Sequence, residues 1–221
     1  MGLVVLAVAP GIFWLWYFLA RDHLHPEPRE LVRRVFLLGA VSAVAAGLVE
    51  GALFHLLGLD PAGPYLPHGA GAALLVGTVE EAAKFAVVLL AVYRHPAFDE
   101  PLDGIVYAVA ASLGFATLEN LAYVLRGGVA VGVLRALLAV PGHAFFGALM
   151  GFYIGLAHRH PRRATRLLAL GLATSALAHA VYDGVLFTRT LVALGVVPVV
   201  MGLWWRALAA TRRAQAYGPG G

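Results

Sequence analysis

Cysteine is absent from the 221 residues, which excludes disulfides, thiolate metal sites and a cysteine nucleophile. Lysine is almost absent too: of the 16 basic residues, only Lys84 is a lysine. The three serines, Ser42, Ser112 and Ser175, stand in no Gly-x-Ser-x-Gly elbow, and no His-Glu-x-x-His zinc helix is present. Charged residues make up only 13% of the chain against 61% hydrophobic, with a mean hydropathy of +0.81. A soluble domain of this length needs a far more polar surface, so the composition is that of an integral membrane protein. The net charge of +4 does not indicate nucleic acid as a partner, because the arginines cluster in short segments between apolar runs.

Apolar runs of about 20 residues have the length of a helix that crosses a bilayer. Seven are expected, at about 2–20, 35–57, 70–92, 104–125, 138–157, 166–187 and 191–209. The first lacks a basic n-region and reads as a retained span rather than a removed signal peptide. Residues 126–137 fit a loop, an interfacial helix or part of the fifth span. With the N-terminus outside, twelve arginines fall on inner segments and three (Arg126, Arg135 and Arg189) on outer ones. That asymmetry predicts an all-α polytopic membrane protein of one domain, 1–221, with a cytoplasmic C-terminus. Trp14, Trp16 and Tyr17 then share the inner interface with Trp204 and Trp205.

The run LVGTVEEAAKFAVVLL, residues 74–89, places three charges inside an apolar span. Each such charge costs about 2.5–3.5 kcal/mol at a helix centre, so it is expected to face protein and to serve a function. The intramembrane polar set is Glu50, Glu80, Glu81, Lys84, Glu119, Asn120, His143, His179 and Asp183, with His55 near a span end. Glu80 and Glu81 lie four and three residues before Lys84, so either carboxylate can reach the ammonium. His179 and Asp183 are also four apart, a spacing suited to a carboxylate that fixes an imidazole tautomer. His143 heads a stripe continued by Gly147, Gly151 and Gly155, along which another helix can approach closely. Under the inferred topology the acids and histidines of four helices converge in the outer half of the bilayer. Glu50 and His55 match no motif and read as structural or supporting groups.

EEAAK at 80–84, FATLEN at 115–120, His143 and HAVYD at 179–183 together resemble the PrsW intramembrane proteases, glutamate-dependent relatives of the CAAX prenyl proteases. The resemblance covers about 74–187, within an expected catalytic core at about 70–187. DGIVYAVAASLGFATLEN is similar to the family's fourth-span region, although Ala108 stands where glycine is common. HPEPRE is similar to its Glu-Pro loop. The resemblance implies hydrolysis of a membrane-anchored protein in or near its transmembrane segment, with an anti-sigma factor as the family's substrate type. It also implies a prokaryotic-type cytoplasmic membrane.

The residues support hydrolysis independently. Glu80 or Glu81 can take a proton from water, and Lys84 favours the ionised form of one of them. His143 and His179 can donate to an oxyanion or to the leaving nitrogen, Asp183 can orient His179, and Asn120 can bind a substrate carbonyl. Zinc chemistry uses the same residues: His143, His179 and Glu119 as ligands, with Glu81 as general base. Both chemistries remain open at this level. A proton- or ion-coupled transporter and a non-catalytic helix-binding scaffold are the other function classes compatible with buried acids and histidines.

Overall fold

The computed structural model describes residues 2–22, 25–60, 63 and 68–217, so parts of the two linkers RDHLHPEPRE and GLDPAGPYLPHG lie outside the described residues. Among the described residues the chain is all-α. The helices are α1 (Gly2–Leu19), α2 (Arg29–Leu57), α3 (Ala70–Ala91), α4 (Pro101–Leu137), α5 (Ala139–Arg159), α6 (Ala164–Phe187) and α7 (Val196–Gln215). Five segments are long and apolar enough to cross a membrane: Gly2–Leu19, Arg29–Leu57, Pro101–Arg159 (α4 with α5), Pro161–Phe187 and Leu191–Gln215. The exception is α3, which carries the three charges of the EEAAK motif. Large apolar side chains such as Leu48, Leu90 and Met201 point outward, as contact with acyl chains requires.

The first half of α4 is the axis of the bundle. Residues 101–116 are all buried, which fits a sequence with no polar stripe for a solvent face. Neighbours reach it through glycine. A side chain on Gly39 of α2 would strike the Ala111 backbone, and one on Gly114 would strike the Phe36 carbonyl. On the other side, Gly151 and Gly155 of α5 lie against the backbone of Gly104 and Pro101, and Gly147 against Ala108 and Ser112. The small-residue stripe of α5 thus receives α4 and carries it up to His143. In the same way Gly77 of α3 admits the backbone of α6 at Ala176 and Ala180.

Of the three alternatives for residues 126–137, the loop and the extension of α5 do not hold, and a helix does. It is set off from the rest of α4 by a break at Gly128 (φ 71, ψ −162). That backbone conformation is essentially restricted to glycine. The segment after the break folds back on the bundle, and Gly132 lies against Leu6 of α1 and Val124 of α4.

At the opposite end of α4, Glu100 and Asp103 form a capping box. Glu27 of the linker before α2 is buried there and accepts a hydrogen bond from the Tyr107 hydroxyl. Burial and a hydrogen bond shared with Asp103 push the Glu27 carboxyl up to about 9. Burial and the charge of Asp103 push Asp22 up to about 6. The Glu-Pro loop is therefore tied to the start of the central helix by carboxyl groups.

Candidate active site

Helical spacing puts Glu80, Glu81 and Lys84 on one face of α3, turned toward α4, α5 and α6. Lys84 is fully buried, and its ammonium has three protons to place. All three have acceptors: Glu80 Oε2 at 3.0 Å, Glu81 Oε1 at 2.7 Å and His143 Nδ1 at 2.8 Å. Its Nζ also lies 4.2 Å from the centre of the Phe115 ring, a cation–π distance. The single lysine of the chain thus links two carboxylates of its own helix to the histidine of α5.

Hydrogen-bond logic then fixes the His143 tautomer. Because Lys84 can only donate, Nδ1 accepts, and Nε2 carries the proton that is donated to Glu119 Oε2 at 3.1 Å. His179 donates from Nδ1 to Glu81 Oε1 at 3.0 Å, and its Nε2 lies 3.5 Å from Asp183 Oδ2. Its ring stacks on Phe146 at 4.7 Å and meets His143 edge-on at 5.1 Å. Aromatic faces therefore close the sides of a polar cluster whose Glu81 and Lys84 are wholly inaccessible.

The two adjacent glutamates differ in environment. Glu81 receives Lys84 and His179 on Oε1, and the Ser175 hydroxyl on Oε2 at 2.5 Å. Among the described residues Glu80 is hydrogen-bonded only through Oε2, to Lys84, with His179 Nδ1 and His143 Nδ1 further off at 3.9 and 4.0 Å. Its side chain retains 7% exposure where that of Glu81 retains none. Glu80 therefore has an oxygen to offer, and Glu81 does not.

The structure gathers Glu80, Glu81, Lys84, His143 and His179 into one cluster, with Glu119 and Asp183 at its edges. Asn120 is placed otherwise than for a substrate carbonyl. Its Nδ2 donates to the Ala7 carbonyl at 2.9 Å and its Oδ1 accepts from Arg135 Nε at 3.1 Å. Two participants were not anticipated. Arg135 appeared among outer-segment arginines, but the fold-back after Gly128 brings it onto Glu119 at 2.6 Å. No local pattern announces that pairing. Ser175 did leave a signal, since Ser175, His179 and Asp183 recur every four residues along one face of α6.

The possible ligand set also differs from the one expected. One ligand atom from each of Glu80, Glu81, His143 and His179 lies within 4.8 Å of the others, so these four residues could hold a metal ion. Glu119 is outside that group, occupied by Arg135 and by the far nitrogen of His143. Two imidazoles and two carboxylates fit zinc by donor type. In the observed arrangement, however, Lys84 Nζ sits within 3.0 Å of three of the four residues, so a cation and this ammonium exclude each other.

Known proteins are similar to this chain over nearly its whole length. A family model described as PrsW family intramembrane metalloprotease matches residues 27–208. Protease PrsW of Geobacillus kaustophilus is 38% identical over 216 residues, covering 98% of this chain and 93% of that protein. Protease PrsW of Bacillus subtilis is 34% identical over 221 residues, with 97% and 96% covered. No solved structure matches. With that extent of likeness and a buried glutamate–histidine cluster at its centre, the chain belongs to the PrsW family of intramembrane proteases.

Proposed function

We propose that this protease hydrolyses a peptide bond in or near the transmembrane segment of a membrane-anchored protein, with Glu80 activating the water. The observation that carries the reading is the asymmetry between the glutamates: Glu80 keeps an unbonded oxygen and some exposure, while Glu81 is saturated by donors. Glu80 takes a proton from water, and the hydroxide adds to the substrate carbonyl carbon. The developing oxyanion displaces Glu119 as the acceptor of the His143 Nε2–H. As the C–N bond breaks, the proton held by Glu80 passes to the leaving amine. Lys84 pairs with both glutamates, offsetting one of their two charges, and holds His143 in the tautomer that points Nε2–H at Glu119. Glu81, Ser175 and Asp183 position His179.

A metal-dependent reading has its own support in the four converging donors and in the family model's description. Glu80, Glu81, His143 and His179 would hold the ion, which would supply Lewis-acid activation of water, and Lys84 would first have to leave its three acceptors.

The topology belongs to the same proposal: seven crossings, N-terminus outside, and the site in the outer half of the bilayer of a prokaryotic cytoplasmic membrane. Two contacts support an odd number of crossings. Gln215 at the end of α7 donates to the Arg21 carbonyl just past α1, and Trp204 lies 3.3 Å from the Tyr17 hydroxyl. The two helices therefore finish on the same side.

The test uses purified protein in detergent with single-span substrates, including an anti-sigma factor, with and without a chelator. Cleavage that is lost in Glu80→Gln and His143→Ala but survives chelation is the expected result. Loss on chelation, restored by zinc, selects the metal-dependent chemistry. Undiminished cleavage by Glu80→Gln removes Glu80 as the base. An absence of cleavage combined with proton flux in liposomes would make the protein a transporter.

A further inference from the structure

Each carboxylate of the α3–α6 cluster has a nitrogen or hydroxyl partner, but one more lies near the cluster on α2. Glu50 lies close enough to Glu80, Glu119, Lys84 and His179 to interact with their charges. Its Oε1 is buried and has no hydrogen-bond partner among the described residues. A buried acceptor left bare calls for an explanation. Among the described residues the helix beside it is uncovered. A side chain added at Gly47 or Gly51 would meet none of them within 4 Å, whereas one at Gly39 on the same helix would strike the α4 backbone.

Hydrolysis at membrane depth creates the complementary deficiency. A transmembrane segment must unwind for its carbonyl to be attacked, and each N–H freed from the helix then lacks an acceptor that lipid cannot supply. We propose that Glu50 is a substrate-contacting residue, accepting a hydrogen bond from a backbone N–H in the unwound stretch beside the scissile bond. The contact rests on the hydrolytic reading above, and it adds α2 to the helices that hold the substrate.

Binding tests it apart from turnover. The probe is a fluorescently labelled synthetic peptide with one apolar span weakened by central glycines. It is titrated in detergent against protein carrying Glu80→Gln, so that no cleavage intervenes. Adding Glu50→Ala is expected to weaken binding about tenfold, the scale of one hydrogen bond, and Glu50→Gln to recover most of the loss because its amide keeps an acceptor oxygen. Replacing peptide N–H groups one at a time by ester oxygens should weaken binding at one position when Glu50 is present, and not at that position in Glu50→Ala. Equal binding by the Glu50→Ala protein overturns the proposal. So does an ester profile unchanged by Glu50, or no binding even with Glu50 in place. If wild-type protein fails to cut the peptide but binding still depends on Glu50, the hydrolytic reading falls and the contact stands.

Discussion

Lys84 is where local spacing and tertiary structure agree most closely. Its two carboxylate partners are legible as i−4 and i−3 neighbours, but the third acceptor, His143, comes from another helix and is visible only in the fold. Replacing Lys84 with Met leaves two carboxylates and an imidazole buried without their common donor. Breaking a buried ionic arrangement from one side costs about 3–5 kcal/mol, so the variant should unfold at markedly lower temperature in detergent. An unchanged melting temperature would refute the contacts described here. Glu80→Gln tests chemistry instead of architecture. With Glu81 still anchoring Lys84, His179 and Ser175, kcat should fall about 10²–10⁴-fold, the usual contribution of a general base, without a comparable fall in melting temperature. The distinction between the two glutamates was not readable in EEAAK. It depends on Ser175 and His179, contributed nearly 100 positions later by α6.

At the scale of helices, apolar run length located each long helix among the described residues, because lipid contact imposes a long unbroken stretch that few other constraints produce. The ends were less visible: α2 begins at Arg29 and not near 35, since a helix extends beyond the apolar run that identifies it. Residues 126–137 were ambiguous for a related reason. Their composition suits a loop or a helix equally, and the direction of the chain after Gly128 is set by one backbone conformation. Gly128→Ala forces a Cβ into that conformation at a cost of about 1–3 kcal/mol. It should also release Arg135 from Glu119 and Asn120, so activity is expected to fall together with stability. Gly151→Val addresses the α4–α5 contact. Its added atoms would enter the backbone of Gly104, and overpacking of that kind costs about 1–3 kcal/mol or more. Circular dichroism melts of both variants check these values. A melt like that of the parent at Gly151→Val would contradict the close approach.

For the molecule as a whole, the carboxyl knot that ties the Glu-Pro loop to α4 makes stability depend on pH. Glu27 titrates at about 9 in the fold, above its ordinary value of 4.5. The folded state therefore holds a proton that the unfolded state has lost between those values, and stability falls as pH rises through that window. Asp22, at about 6 against 3.8, adds a decline in the same direction at its lower end. Melting temperatures in detergent should drop from pH 5 to pH 9, and Glu27→Gln, which has nothing to ionise, should flatten the decline. A stability that climbs over this range would contradict the burial of Glu27. The family resemblance marked HPEPRE, but nothing in those six residues revealed that the acid turns inward to meet Tyr107.

The way Lys84 is neutralised also bears on how the protein is made. Two of its acceptors lie within one turn on α3 itself, and the histidines arrive only with α5 and α6. During synthesis α3 can therefore enter the bilayer with its ammonium already matched and one negative charge left over, before the remaining helices emerge from the ribosome. Lys84→Ala should make α3 a poorer substrate for the translocon despite removing a charge, because it leaves both carboxylates without a local counterion. The insertion efficiency of α3 in a reporter fusion would measure this, and better insertion of the variant would show that the helix relies on later partners.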